Sequence, residues 1–134
     1  MRSEIIPTPT VLVVDDEALI RWSLSEALSE AGYTTRLAAS GSEARLVLRS
    51  LGREPLVIVL DMRLPDVNDL SLARDVRRMR SDAPLILMSA HVTPEDVGDA
   101  NRLGIFRVVN KPFDVPGMVA LVGQAWTGAP NSKE

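Results

Sequence analysis

The sequence predicts an α/β fold, a doubly wound sheet of five parallel strands alternating with five helices, (βα)5. Three observations predict it. Short apolar runs rich in Val, Ile and Leu recur along the chain without polar alternation, as strands covered on both faces do. Between them lie stretches with apolar residues at helical spacing, opened by Ser, Thr or an acid and closed by Gly. Strand and helix alternate along the chain, which is the pattern of βαβ units in one parallel sheet with helices on both faces.

Each element has its own justification. Val11 to Val14 is the first strand, and it ends abruptly in Asp15, Asp16 and Glu17. From Ala18, Leu19, Ile20, Trp22, Leu24, Ala27, Leu28 and Ala31 recur at helical spacing up to Gly32. Tyr33 to Ala38 is the second strand; Thr34, Thr35 and Arg36 make it less buried, as at a sheet edge. Ser40 and Glu43 are spaced as a capping box for a helix that ends at Gly52. Leu56 to Leu60 gives five apolar residues in a row, followed by an isolated acid, Asp61, and a turn. Asn68 can cap a third helix with Leu72, Ala73, Val76 and Met79 on its apolar side; Arg74, Arg77, Arg78 and Arg80 are read as solvated charge. Pro84 to Met88 is the fourth strand, ending at Ser89. Thr93, Pro94 and Asp96 open a fourth helix that stops near Gly104, and Ile105 to Val109 is the last strand. Asp114 can cap a fifth helix through Trp126.

The organisation is therefore an N-terminal extension over 1–10, one domain over 11–126 and a Gly, Pro, Asn and Ser tail over 127–134. Its 134 residues suffice for one core and leave no room for a second sizeable one. A formal charge of −3 gives no electrostatic case for nucleic-acid binding by the domain. Without cysteine, a disulfide framework, a thiolate zinc site and cysteine catalysis are all excluded. No apolar run approaches the roughly 18 residues of a membrane helix, and no signal-peptide stretch opens the chain, so a cytoplasmic, reducing setting is expected.

In a parallel sheet all carboxyl ends lie along one edge, where ligands bind. That edge collects Asp15 and Asp16 from the first strand, Asp61 from the third, Ser89 from the fourth and Lys111 from the fifth. Clustered carboxylates raise one another's pKa unless a cation shares the site. Oxygen ligands favour Mg²⁺, or Mn²⁺, over zinc, and magnesium completes its shell with waters and a phosphate. Lys111 and the Ser89 hydroxyl could hold the remaining phosphoryl oxygens. The set looks built for phosphoryl transfer onto a carboxylate, with Asp61 as nucleophile.

Four motifs at strand ends, Val13-Val14-Asp15-Asp16-Glu17, Leu60-Asp61-Met62-Arg63-Leu64-Pro65, Met88-Ser89-Ala90 and Asn110-Lys111-Pro112-Phe113, resemble in order those of the receiver domain of two-component response regulators. The resemblance spans about residues 9–126. It implies a sheet of strand order 2-1-3-4-5. It implies that Asp61 accepts a phosphoryl group from a phosphohistidine on a sensor histidine kinase or phosphotransfer protein. Asp16, Asp61 and the backbone carbonyl of Arg63 would bind Mg²⁺, with Asp15 acting through a water. Ser89 and Lys111 would contact the phosphoryl oxygens, and the Lys111-Pro112 bond would be cis. Such a chain is not a conventional enzyme but catalyses its own phosphorylation and dephosphorylation. The first helix, with Ile20-Arg21-Trp22-Ser23-Leu24, is similar to receivers at the front of enhancer-binding transcription activators, in which the tail would be a linker; a stand-alone receiver would have the same length.

Two positions depart from the family pattern. Asp69 stands where a glycine is usual, and Val108 where the last strand usually carries a switch aromatic. Phe106, two residues earlier, is expected on the same sheet face but is given no switch role. His91 is read as a solvated loop histidine, and Trp22 and Trp126 as core or near-core residues. The apolar residues of the fifth helix exceed one stripe, so the last two helices and the last strand form the candidate face for a homodimer or an output domain. Two other functions are weighed against phosphorylation. A pseudo-receiver acting as a constitutive interaction module is opposed by the intact set of acids, serine and lysine. A haloacid-dehalogenase-like phosphatase is opposed by Arg63, which stands where the second acid of its Asp-x-Asp pattern would be.

Overall fold

The middle of the molecule is β3 (Leu56–Asp61), buried along its whole length in a computed structural model that describes residues 8–67 and 69–128. It lies between β1 (Thr10–Val14) and β4 (Leu85–Ser89), with β2 (Thr34–Ala38) beyond β1 and β5 (Arg107–Asn110) beyond β4. All pairs are parallel and the order is β2-β1-β3-β4-β5. β1 and β4 are also buried throughout, whereas β2 and β5 are partly exposed, as edge strands are. The contrast follows from sequence: the central strands are nearly continuous Val, Ile and Leu, and the edges carry Thr34, Arg36, Arg107 and Asn110.

The side-chain alternation of the strands feeds two separate cores. Leu12, Ile58, Leu60 and Leu87 face α2 (Gly41–Leu51), α3 (Ser71–Met79) and α4 (Pro94–Arg102), which contribute Leu48, Leu72, Val76 and Ala100. Val11, Val13, Val59 and Met88 face α1 (Ala18–Glu30) and α5 (Val115–Gly128), which contribute Leu24, Leu28, Met118 and Val122. Fully burying each such side chain is worth roughly 1.5–3 kcal/mol relative to exposure, so the pattern alone holds the two layers on the sheet. Among the described residues no helix is long and apolar enough to cross a membrane.

The helix ends show how far local signals reach. Thr93 closes a full capping box with Asp96, behind Pro94 at the first position of α4. Ser40 accepts from the Glu43 N–H at 3.2 Å, but the Glu43 carboxylate passes its expected partner and takes the Ala39 N–H at 2.8 Å. Asp114 accepts from the Gly117 N–H at 2.8 Å and caps α5, which continues two residues beyond Trp126. Asn68, expected to cap α3, lies outside the described residues, as do 1–7 and 129–134 of the extension and tail. At the same helix start the Asp69 carboxylate accepts the Ser71 N–H at 2.9 Å.

Several expectations are corrected. Trp22 is 61% exposed on α1, because it stands two residues from the buried Leu24, about 200° around the helix and so on the solvent side. Trp126, by contrast, packs partly buried against the α1/α5 core, as a near-core residue does. Arg77 and Arg80 are not solvated: Arg80 is buried, and Arg77 is half-buried and donates to the carbonyls of Ser81 at 3.1 Å and Ala83 at 2.9 Å. Phe106 packs on the α1/α5 side and Val108 on the other, since Phe106 precedes the first paired residue of β5 and strand alternation does not extend to it. The extra apolar residues of α5, Val115, Val119 and Leu121, pack partly buried against the same core, which leaves less free apolar surface than their number suggested.

Candidate functional site

The carboxyl ends of β1, β3, β4 and β5 meet at one edge, because the register pairs Val14 with Leu60, Asp61 with Met88 and Ser89 with Asn110. The strand ends and the loops that follow them therefore form one cleft, of about 240 Å³, lined by Asp16, Glu17, Asp61, Arg63, Ala90 and Lys111. Carboxylate oxygens of Asp15, Asp16 and Asp61 lie within 4.8 Å of one another. Asp15 is fully buried, Asp61 nearly so, and Asp16 is exposed.

Backbone and side-chain bonds orient each group. The Asp15 carboxylate accepts the Glu17 N–H at 2.9 Å, and the Asp61 carboxylate accepts the Arg63 N–H at 3.1 Å. Lys111 Nζ bridges the two acids, 2.8 Å from Asp15 Oδ2 and 3.0 Å from Asp61 Oδ2. Its approach is set by the backbone: the Lys111 N–H donates to the Ser89 carbonyl at 2.8 Å, and the Lys111-Pro112 peptide is cis. Ser89 is buried, and its hydroxyl oxygen accepts the His91 N–H at 3.2 Å, leaving the hydroxyl proton free to donate. His91 itself is exposed. Asp69 sits outside the cluster, in a second, polar cavity of about 270 Å³ that Ser89, His91 and Arg74 also line.

The electrostatics are unbalanced. Burial pushes the Asp61 carboxyl above its ordinary value, and the neighbouring Asp15 charge adds to this, against the bonds from Arg63 and Lys111. Burial works to lower the Lys111 pKa, but its bonds to Asp15 and Asp61 outweigh that and raise it. Asp15 Oδ2 has the ammonium beside it as an ion pair yet no aligned hydrogen-bond donor, so a buried anionic oxygen is left under-satisfied. Three hard oxygen donors with one ammonium between two of them fit a divalent cation such as Mg²⁺. Sequence reasoning named these groups but missed Arg21, whose guanidinium donates to the Asp15 backbone carbonyl at 2.7 Å and fixes the acidic loop from α1. Nothing in local sequence marks that contact, since it depends on where α1 packs.

Fold and edge together define a class: a (βα)5 domain with an acidic, lysine-bridged cleft at the carboxyl edge of its sheet. The chain belongs to the response regulator receiver domain family, which matches residues 11–123. It is 36% identical over 115 residues to the DNA-binding transcriptional regulator NtrC of Salmonella typhimurium, covering 86% of this chain and 24% of that protein. The chain thus spans about a quarter of the length of the curated relatives it matches. The non-phosphorylated HemR receiver domain from Leptospira biflexa superposes with a TM-score of 0.81 at 26% identity, covering 90% of this chain and 95% of that one. A CheY-like receiver domain protein from Methanospirillum hungatei shares the fold, with a TM-score of 0.83 at 19% identity over 94% of this chain and 99% of its own.

Proposed function

We propose that the chain is a phosphorylatable receiver in which Asp61 takes a phosphoryl group from a phosphohistidine of a sensor kinase or phosphotransfer protein. The observation that carries this reading is the Asp15–Lys111–Asp61 bridge, at 2.8 and 3.0 Å, beside the exposed Asp16. Asp16, Asp61 and the Arg63 carbonyl would hold Mg²⁺, with Asp15 acting through a water. The ion supplies charge neutralisation where carboxylates and phosphoryl oxygens crowd together.

An Asp61 carboxylate oxygen attacks phosphorus while the phosphorus–nitrogen bond to the donor imidazole breaks. The electron pair leaves with that nitrogen, which takes a proton from solvent. Lys111 stands between the two buried acids, so it can follow the negative charge from Asp61 Oδ2 onto a phosphoryl oxygen while keeping its contact with Asp15. The Ser89 hydroxyl donates to a second phosphoryl oxygen. The donor docks on the apolar groove of about 430 Å³ beside Lys111, lined by Leu19, Ile20, Ala90, Pro112 and Phe113. Leu19 is 71% exposed there, an apolar side chain that a partner would cover. The face of α4, β5 and α5, with Val97 exposed, is the surface for a second copy or an output domain. The likeness to a DNA-binding transcriptional regulator makes control of transcription the proposed output.

Incubation with a small acyl phosphate and Mg²⁺ tests the chemistry. The chain should gain one acid-stable, base-labile phosphoryl group, lost in Asp61→Asn and on adding EDTA. No modification of the wild type overturns the reading in favour of a constitutive interaction module, and sustained phosphomonoester turnover points to a phosphatase.

A further inference from the structure

We infer that Asp66, outside the acid cluster, is a positioning residue for the cation site: it ties the turn after β3 to the first turn of α2 and so holds the Arg63 carbonyl in place. This rests on the proposed role of that carbonyl as a ligand. The turn is closed by two backbone bonds, Leu64 N–H to the Val67 carbonyl at 2.7 Å and Val67 N–H to the Leu64 carbonyl at 3.2 Å, with Pro65 and Asp66 at its tip. Proline suits the first corner of such a turn. The Asp66 carboxylate accepts the Gly41 N–H at 2.8 Å and the Ser42 N–H at 3.0 Å, reaching across 25 and 24 residues of sequence.

Those donors are among the N–H groups that every helix start leaves without an intrahelical partner. α2 already has its own cap in Ser40, which takes the Glu43 N–H. The second cap comes from the loop of the site, and its geometry demands a missing side chain. A Cβ on Gly41 would stand 2.9 Å from Val67 Cγ2 and 3.2 Å from Asp66 Oδ1, so only glycine lets the turn close on the helix without displacement. The start of the loop is fastened separately, by Met62 N–H to the Met88 carbonyl at 2.9 Å and Arg63 N–H to Asp61 Oδ1 at 3.1 Å. The Arg63 carbonyl lies between the two fastenings. Release of the outer one frees the peptide that carries it.

Calorimetric titration of the whole chain with Mg²⁺ is the test, using Asp66→Ala, Gly41→Ala and Ser40→Ala. Asp66→Ala should weaken Mg²⁺ by about ten-fold, the lower range for loss of a group that orients a metal ligand. Gly41→Ala should weaken it less but in the same direction, although alanine is the better helix former. Ser40→Ala, which removes a cap from the same helix, should lower thermal stability and leave Mg²⁺ affinity unchanged. In metal-free buffer, exchange of the Leu64 and Val67 amides should quicken in Asp66→Ala and not in Ser40→Ala. Wild-type affinity in folded Asp66→Ala, or equal weakening by Ser40→Ala, overturns the inference alone. A wild type without Mg²⁺ binding that Asp16→Asn removes means that the cation reading has failed, and this inference falls with it.

Discussion

The two edges of the sheet both bury charge, and they do so in opposite ways. At the edge where strands begin, the buried Arg80 guanidinium has four of its five N–H donors engaged. It takes both oxygens of Asp82 at 3.0 Å, the Gly52 carbonyl at 3.2 Å and the Glu54 carbonyl at 2.6 Å, clamping the segments that lead into β3 and β4. At the edge where strands end, Asp15 and Asp61 share the single ammonium of Lys111 while Asp16 stands beside them with its own charge. A buried ion whose donors are mostly engaged by carbonyls and a carboxylate has little left to offer a ligand. An unsaturated cluster stores attraction for a cation and for whatever anion that cation brings. The same residue types thus clamp backbone at one end of the strands and gather into the candidate site at the other, and the balance of charged partners differs between the two.

The largest effect is expected at the edge where strands begin. Arg80→Ala strands two backbone carbonyls and Asp82, and should lower unfolding free energy by about 3 kcal/mol in urea titrations. Phosphorylation of the remaining folded protein should be unchanged; a loss of activity without a loss of stability would erase the distinction between the edges. Lys111→Ala comes next, because it leaves two buried carboxylates facing each other. In EDTA it should lower stability by about 2 kcal/mol, with Mg²⁺ restoring part of that, which Mg²⁺ does not do for Arg80→Ala.

The contrast also explains what could be read from sequence. Continuous apolar runs at Val11–Val14, Leu56–Leu60 and Leu85–Met88 can be satisfied only by strands covered on both faces, so the sheet was legible, and with it the edge where Asp15, Asp61 and Lys111 meet. Arg80 was read as solvated because helical charge usually is, and its burial depends on carbonyls 26 and 28 residues away. Asp66 escaped for the same reason, acting on backbone groups that packing alone brings near, whereas Arg21 lies only six residues from its partner, at a spacing that carries no motif of its own. Trp22 was counted with the apolar residues of α1, yet its offset of two from Leu24 puts it on the opposite side of the helix. Phe106 was assigned a face by extending strand alternation past the point where pairing begins.

A smaller effect of opposite sign is expected from Asp61→Asn. Removing one carboxylate from an over-supplied cluster should raise stability in EDTA by about 1 kcal/mol and abolish the further gain that Mg²⁺ brings to the wild type. A decrease in EDTA would mean that the acids are balanced by Lys111 after all.

The smallest effect separates the edges by their response to acid. The Asp61 carboxyl lies above its ordinary value of 3.8, chiefly through burial, so the folded chain binds this proton more tightly than the unfolded chain. Its contribution to stability is unfavourable above the folded pKa, and that penalty lifts as pH falls through it. The Asp82 carboxyl is held below 3.8, first by its bonds to Arg80, and contributes stability that is present above 3.8 and lost as pH falls below it. Its side chain is 69% exposed, so solvent screening keeps this contribution small. Urea midpoints followed in EDTA from about pH 5 to about pH 3 should therefore fall more steeply in Asp61→Asn than in the wild type, and less steeply in Asp82→Asn. Shifts of the two variants in the same direction would show that both edges hold their carboxylates in the same electrostatic state.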